Sequence, residues 1–373
     1  MAQRFAILKA KFDPLGGTEK IAILVAKALV ERGIHVDIYT SDPKSWPKIL
    51  GVNLLRIPSI KLTRWLHILS YNKNLNKFLN RNRYLSILSL EHTSFHTHKR
   101  AGGGCHIAWL KRRELFVSSW KRRIMWRDPY HKLVLDIEKK GFTSPWVKKI
   151  IANSELVKRE VMEFYGVPQE KIAVVYNGVE WEALQGPFLE ALMGKEELRR
   201  KMDLDPSRFY FLFVGNGFER KGLGPALRAL RFLPKDVSLL VVGYDKREGD
   251  YRRLASKLGL RERVIFYGPQ RDVHRFHQVA DAFVLPTLYD PFSNATLEAL
   301  AMGLFVLTTS DNGCSEVLRP ESGIVIDSLN EEAVAEGMKK AISTYKDPRR
   351  IRESVKHLNL KNQISKLIEE CLT

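Results

Sequence analysis

Short apolar runs punctuate this chain, and between them apolar residues recur at every third or fourth position. Runs at 5–10, 35–40, 84–90, 149–154 and 174–180 predict strands in the first half. Runs at 209–214, 237–243, 263–268, 282–285, 304–309 and 323–326 predict strands in the second. The intervening stretches have helical spacing. Ile21, Leu24, Val25, Ala28 and Leu29 put one apolar face on a helix over 21–31, which Gly33 stops. Ser154 caps another that runs to Phe164 and halts at Tyr165-Gly166-Val167-Pro168. Helices are also expected over 331–345 and 349–373. Strands alternating with helices build parallel sheets, so the fold class is α/β. Residues 183–208 are charged and turn-rich and read as a linker with a short helix. A length of 373 residues suffices for two domains with a core each.

Three strand ends carry chemistry. The run 282–285 closes at Pro286, and a loop with Tyr289, Asp290 and Pro291 follows. Ser293, Asn294 and Thr296 then offer caps for a helix with Leu297, Leu300 and Ala301 on one face and Glu298 inside it. Ligands of open α/β sheets bind at strand carboxyl ends, and a helix start offers N–H groups to an anion. An acid on each side of such a phosphate site suits a ligand with hydroxyls at both ends and phosphates between. An ordinary amphipathic helix beside a turn aspartate is the bland alternative. The run 209–214 opens onto Gly215-Asn216-Gly217-Phe218-Glu219-Arg220-Lys221-Gly222. Gly215 and Gly217 start a dinucleotide fingerprint, but Arg220 stands where its third glycine belongs, so an oxidoreductase reading fails on its own motif. Two adjacent cations at a strand–helix turn suit a diphosphate. In the first βα turn, Phe12 to Glu19, the pair Gly16-Gly17 lets backbone approach a ligand closely.

The acid at Asp290, seven residues, and Glu298 ahead of a small-residue helix resemble the signature of the retaining family 4 glycosyltransferases. The Arg220-Lys221-Gly222 loop, the amino-terminal glycine turn, and the succession from Ala152-Asn153-Ser154 to Tyr176-Asn177-Gly178-Val179-Glu180 resemble the same family. The resemblance implies the GT-B fold: two Rossmann-like domains whose parallel sheets face a central cleft. It implies an acceptor-binding domain over 1–182 and a nucleotide-sugar domain over 183–349, with a helical segment 350–373 packing back onto the first. Glu298 would bind the ribose hydroxyls, and Asp290, in place of the usual glutamate, would face the donor sugar. Arg220 and Lys221 would hold the donor diphosphate. Gly215, Gly16, Gly17 and the helix start Asn294, Ala295 and Thr296 complete the donor set, with Gly268 beside the nucleobase. Glu19 would lie near the acceptor pocket. Bacterial lipopolysaccharide-core glucosyltransferases, a branch of the family, often carry an aspartate after the small pair corresponding to Ala101-Gly102. This chain has Gly103 there. Either His106 or His98 substitutes, or the contact is missing.

Charge then bears on partners. Lys and Arg number 61 against 42 Asp and Glu, a formal net charge of +19. Such a surface attracts nucleic acid, anionic lipid or phosphorylated substrates. In residues 107–132, Trp109, Phe116, Trp120 and Trp126 alternate with Lys111, Arg112, Arg113, Lys121, Arg122, Arg123 and Arg127. This amphipathic basic stretch is expected to meet an anionic membrane surface, an ordinary solvated helix being the alternative. No nucleic-acid-binding motif is present, and nucleic acid is not expected as a partner. Cys105, Cys314 and Cys371 are scattered, which fits a reducing compartment. His96 and His98 would share a strand face without a third ligand, and Asp203-Leu204-Asp205 reads as turn residues. No metal and no other cofactor is expected. No apolar run is long enough to span a bilayer, and the first apolar run is too short for a signal peptide. The expected place is the cytoplasm, peripherally on the inner face of the cytoplasmic membrane.

These readings predict retaining, metal-independent transfer of a hexose, glucose first, from a UDP-linked donor to a lipid-linked saccharide such as the lipopolysaccharide inner core. A glycosidase needs two carboxylates flanking one bond, whereas Asp290 and Glu298 are expected along one donor. The alternatives are another glycolipid or small acceptor in the same fold and, in a different class, a basic nucleic-acid-binding protein.

Overall fold

The computed structural model describes residues 3–14 and 16–373; Leu15 of the glycine turn lies outside the described residues. Residues 1–176 and 361–373 form one unit and residues 177–360 the other.

The first unit contains β1 (Arg4–Leu8), α1 (Gly17–Glu31), β2 (His35–Thr40), β3 (Val52–Arg56), α2 (Arg64–Phe78), β4 (Ser86–Ser89), β5 (His98–Ala101), α3 (His106–Glu114), α4 (Ser119–Arg127), α5 (Pro129–Thr143), β6 (Lys149–Ala152), α6 (Glu155–Tyr165) and β7 (Ile172–Val174). Its seven strands are parallel, in the order β3-β2-β1-β4-β5-β6-β7. Helices cover both faces of such a sheet, so Phe5, Ala6, Ile7 and Leu8 are all fully buried and the strand shows no polar alternation. The strand order reverses between β1 and β4, which opens a crevice at their carboxyl ends.

The second unit contains α7 (Gln185–Lys201), β8 (Phe209–Val214), α8 (Phe218–Lys221), α9 (Leu223–Leu230), β9 (Val237–Val242), α10 (Glu248–Lys257), β10 (Val264–Gly268), α11 (His274–Val279), β11 (Ala282–Leu285), α12 (Asn294–Ala301), β12 (Phe305–Thr309), β13 (Gly323–Ile326), α13 (Glu331–Ser343) and α14 (Pro348–Ser354). The last helix, α15 (Leu360–Leu372), returns to the first unit from Lys361 onward. The parallel order is β10-β9-β8-β11-β12-β13, with the reversal between β8 and β11.

Several expectations need correction. The stretch 183–208 is mostly the helix α7, kinked at Gly194. Its charges are the helix's solvated face, paired as Glu196–Arg200 and Glu197–Lys201 one turn apart. The basic stretch 107–132 is no single helix, because the chain breaks between α3 and α4. Helix α1 starts at Gly17 rather than at 21, so the glycine pair is its cap and first residue. His96 precedes β5 and shares no strand face with His98. The edge strand β3, Val-Asn-Leu-Leu-Arg, escaped the sequence pattern because its positions are half-buried or exposed. The returning segment begins at 361 rather than 350. Arg352 explains why: its guanidinium donates to Trp181 O at 2.8 Å and Gln185 Oε1 at 3.0 Å, which holds α14 in the second unit.

Candidate functional site

In the second unit the site grows from one glycine. Gly222 has φ +80°, and a Cβ there would fall 1.7 Å from Pro286 O. Only a bare backbone lets the turn after Lys221 lie against the end of β11. The Arg220 carbonyl then accepts from Thr287 Oγ1 at 2.8 Å and from Leu288 N at 2.9 Å. This clasp seats Lys221 Nζ on Asp290 Oδ2. Arg220 Nη1 lies 3.6 Å from the same oxygen and donates to Tyr289 O at 3.0 Å. Lys221 and Asp290 are 8% and 6% exposed. Burial lowers the Lys221 pKa against the attraction of Asp290, and Arg220 adds to the lowering. Two cations against one carboxylate leave a net positive charge where β8 and β11 end, which is what a diphosphate requires.

The loop and helix start beyond it are held by Asn312, which is fully buried. Its amide donates to Thr296 Oγ1 at 3.1 Å and Thr308 Oγ1 at 2.9 Å, while its oxygen accepts from Ser293 N and Cys314 N. Ser293 caps α12 by accepting from Thr296 N at 3.3 Å. Thr296 is therefore turned inward, with its hydroxyl and N–H both used, unlike the donor contact expected of it. Asn294 is exposed and accepts from Asn177 Nδ2 at 2.8 Å; Ala295 and Glu298 are half-buried. Gly215 leaves room for the Lys221 stem, whose Cγ would lie 3.0 Å from a Cβ there. Gly268 ends β10 and its carbonyl accepts from Gly243 N at 2.9 Å. Asp290, expected at the donor sugar, anchors Lys221 through Oδ2.

The first unit also gathers charge at its reversal point. Lys9, just past β1, places Nζ 3.1 Å from Glu19 and 2.5 Å from Glu91, which lies just past β4. Burial opposes the Lys9 charge, but the two carboxylates hold its pKa above the usual value. Gly16 is bare for a local reason: a Cβ there would meet Glu19 Oε2 at 2.1 Å. Gly17 is exposed in the first turn of α1. Lys99 donates to Glu91 O. Glu138 accepts from His106 N and from the Tyr165 hydroxyl, the latter at 2.6 Å. Burial pushes the Lys99 pKa down and the Glu138 pKa up. His106 opens α3 with Nε2 2.9 Å from His131 Nδ1. Its ring abuts Tyr130, over whose face the Arg64 guanidinium sits at 4.5 Å. Burial, then His131 and Arg64, bring the His106 pKa to about 4. A pocket of about 160 Å³ at this point is lined by Lys11, Arg64, His67, Asn72, Glu91 and Tyr130, among others.

Of the candidates for the contact missing at Gly103, His98 is excluded by its burial. It is 1% exposed, and its Nδ1 is held by Ser86 Oγ at 2.7 Å and Thr97 Oγ1 at 2.9 Å. His106 remains. A Cβ on Gly103 would meet nothing within 4 Å, so the glycine is not required by packing. Sequence reasoning missed Lys9, Arg64, Glu91, Lys99 and Glu138. A charge directly after an apolar run, as in Leu8-Lys9 and Leu90-Glu91, was the available signal.

Elsewhere, Asp205 accepts from Ser207 N and Oγ in a turn, as expected of Asp203-Leu204-Asp205. Among the described residues no group of three or more His, Cys, Asp or Glu has the placement to hold a metal ion. No described helix is long and apolar enough to cross a membrane. Around α4 the large apolar residues Leu115, Phe116, Trp120 and Ile124 are 75%, 55%, 63% and 60% exposed.

Residues 15–182 match the family model described as Glycosyltransferase Family 4, and residues 194–358 match that described as Glycosyl transferases group 1. The chain belongs to the family 4 glycosyltransferases. Among relatives, a glycosyltransferase of Methanocaldococcus jannaschii, MJ1607, is 30% identical over 205 residues, 53% of this chain and 51% of that protein. The lipopolysaccharide glucosyltransferase WaaG of Escherichia coli is 23% identical over 344 residues, 89% of this chain and 88% of that protein. The crystal structure of WaaG matches with a TM-score of 0.79 at 21% identity, covering 98% of this chain and 99% of that one. Anabaena HepE, in complex with UDP and glucose, matches with a TM-score of 0.71 at 16% identity, covering 99% of each chain. This family 4 glycosyltransferase has the GT-B fold, its two parallel sheets having seven and six strands.

Proposed function

We propose that this chain is a retaining, metal-independent transferase that moves a hexose, glucose first, from a UDP-linked donor to a lipid-linked saccharide of the lipopolysaccharide inner-core kind. The observation that carries the reading is the Arg220–Lys221 pair seated on Asp290 at the ends of β8 and β11. When the bond from the sugar to the diphosphate breaks, negative charge grows on the leaving oxygen, and these cations stabilise it without reorganising. Glu298, one turn inside α12, takes the ribose hydroxyls. The acceptor hydroxyl forms the new bond to the sugar as the bond to the diphosphate breaks, and its proton passes to the leaving diphosphate oxygen. Support for donor and acceptor comes from relatives: HepE is seen with UDP-glucose, and the Escherichia coli relative is a lipopolysaccharide glucosyltransferase. The test is incubation with UDP-glucose and extracted inner-core lipid, with and without EDTA, and NMR of the product. An α-linked product formed equally in both is expected; a β-linked product overturns retention, and loss in EDTA overturns metal independence.

The same reading places the chain peripherally on the inner face of the cytoplasmic membrane. The exposed Leu115, Phe116, Trp120 and Ile124 stand beside Lys121, Arg122 and Arg123. Each cation at an anionic surface contributes about 1 kcal/mol. Co-sedimentation with anionic vesicles, released by salt, is expected. Replacing Lys121, Arg122 and Arg123 with Glu should abolish it and spare donor hydrolysis.

A further inference from the structure

Helix α2 lies in a long stretch without acids. None of residues 43–90 is Asp or Glu, while nine are Lys or Arg. The inward face of α2, with His67, Tyr71 and Leu75, is buried. Thr63 caps the helix by accepting from Leu66 N at 3.3 Å. The outward face repeats every three or four residues as Leu62, Trp65, Leu69, Lys73 and Lys77. Leu62, Trp65 and Leu69 are 83%, 40% and 42% exposed, and Ile60, two residues earlier, is exposed as well. Lys73 and Lys77 are also exposed. Among the described residues no carboxylate pairs with either of them or with Arg64. The stripe is thus apolar at its start, basic at its end, and unneutralised throughout.

Such a face makes two demands of a partner. Its leucines and tryptophan ask for an apolar layer, and its cations ask for a dense anionic surface. A nucleic-acid duplex offers phosphates but no apolar layer. A second copy of this face would bring like charge against it. An anionic bilayer offers both, headgroups for the cations and an acyl boundary for Leu and Trp. The position fits as well. Arg64, His67 and Ile68 of α2 line the pocket at the strand reversal, and Arg64 reaches over Tyr130 in the first turn of α5. Helix α4 ends at Arg127, directly ahead of α5. The α2 stripe and the exposed residues around α4 therefore come from separate segments of the chain that meet at one pocket.

We propose that the outward face of α2, from Ile60 to Lys77, is a second docking surface for an anionic bilayer, with Leu62, Trp65 and Leu69 at the acyl boundary and the cations among the headgroups. It is a different surface from that around α4, and each contact can hold without the other. Affinities of two contacts on one bilayer multiply, so charge reversal in α4 still removes sedimentation. Cys105, Cys314 and Cys371 are buried, so one cysteine placed on the surface takes an environment-sensitive dye selectively. Leu69→Cys reports on α2, Ile124→Cys on α4, and Ser256→Cys, exposed in α10, is the control. With vesicles of phosphatidylglycerol and phosphatidylcholine the dye at 69 should shift to the blue and return on addition of salt. It should not shift with phosphatidylcholine alone, and the dye at 256 should shift with neither. Leu62→Gln, Trp65→Gln and Leu69→Gln together should weaken partition into the anionic vesicles at least about tenfold, with UDP affinity unchanged. If that variant does not fold, Lys73→Glu with Lys77→Glu serves the same purpose. A shift at 124 without one at 69 overturns this proposal and leaves the α4 contact standing; a shift at 69 without one at 124 does the reverse. No shift at either position overturns both. A shift at 69 that follows protein concentration alone, or that needs an oligonucleotide rather than vesicles, also overturns the proposal.

Discussion

Both units gather charge at the point where strand order reverses, yet they assemble it in opposite ways. The second unit takes Arg220, Lys221, Asp290 and Glu298 from two short stretches, each a strand end running into a helix. The first takes Lys9, Glu19, Glu91, Lys99 and Glu138 from five separate segments. In the second unit two cations share one carboxylate, so positive charge is left over for a ligand. In the first, Lys9 bridges two carboxylates and is consumed by them. The same sheet geometry thus yields an anion site in one unit and a nearly self-neutralised polar floor in the other. A contiguous motif can face one rigid ligand group; a scattered set can be redrawn residue by residue to suit a different acceptor.

The contrast breaks most visibly at Lys221. Lys221→Ala leaves Asp290 buried beside a more distant Arg220, and loss of one partner of a buried pair costs about 3 kcal/mol or more. Turnover should fall by about 10²–10³, with denaturant melts and steady-state rates as the readouts. Normal turnover in this variant would remove the cations from the mechanism.

The next effect separates the units by ligand. Glu298→Gln should weaken UDP binding about tenfold, since hydrogen bonds to a charged group contribute about 1.5–3 kcal/mol. Lys9→Met should leave UDP affinity unchanged and raise KM for the acceptor. Calorimetry with UDP on both variants decides; equal losses would dissolve the distinction.

Acid should also tell the units apart. His92, His96, His98 and His106 in the first unit have pKa values brought down to about 3, 3, 4 and 4, chiefly by burial, against His277 at about 4 in the second. Such groups are neutral when folded and take up protons on unfolding. Their contribution is full above the unfolded value of about 6.5 and is lost as pH falls toward the folded values. Glu138 in the first unit acts in reverse, one group against four. Hydrogen exchange at falling pH should therefore open the first unit before the second between about pH 6.5 and 4.

The smallest expected change is Gly103→Asp. Nothing stands within 4 Å of the new Cβ, so stability should move by about 0.5 kcal/mol or less. If the site lacks a sugar contact that His106 does not supply, turnover rises; an unchanged rate assigns the contact to His106.

How much was legible follows from the same contrast. The six strands of the second unit fall within a residue or so of the apolar runs: β8, β9, β11 and β12 because strands buried on both faces are continuous in sequence, and the half-buried edges β10 and β13 because their residues are apolar all the same. The edge strand β3 was not found, since an edge need not be apolar. The cation pair was legible as Arg220-Lys221, whereas its partner Asp290 was assigned to the sugar, because only the folded turn at Gly222 brings position 221 against position 290. Helix α7 was read as a linker because its surface charges dominate its composition. His98 was a reasonable candidate by spacing alone; burial against Ser86 is a tertiary fact with no local trace.

The return of α15 to the first unit has a consequence for synthesis. Val179 and Asn359 form a parallel bridge, Val179 N donates to Leu358 O at 2.9 Å and Leu360 N to Val179 O at 2.8 Å, so the outgoing and returning segments lie side by side. Beyond them Ile364, Leu367, Ile368 and Cys371 are buried, and Glu370 meets Lys149 at 2.8 Å. The first unit is therefore completed by residues made only after the whole of the second. Its sheet waits, with one helix missing, while the whole of the other unit is made. A nascent chain halted near residue 360 would carry a finished second unit and an unfinished first, and chaperones would meet the protein at its beginning rather than at its growing end.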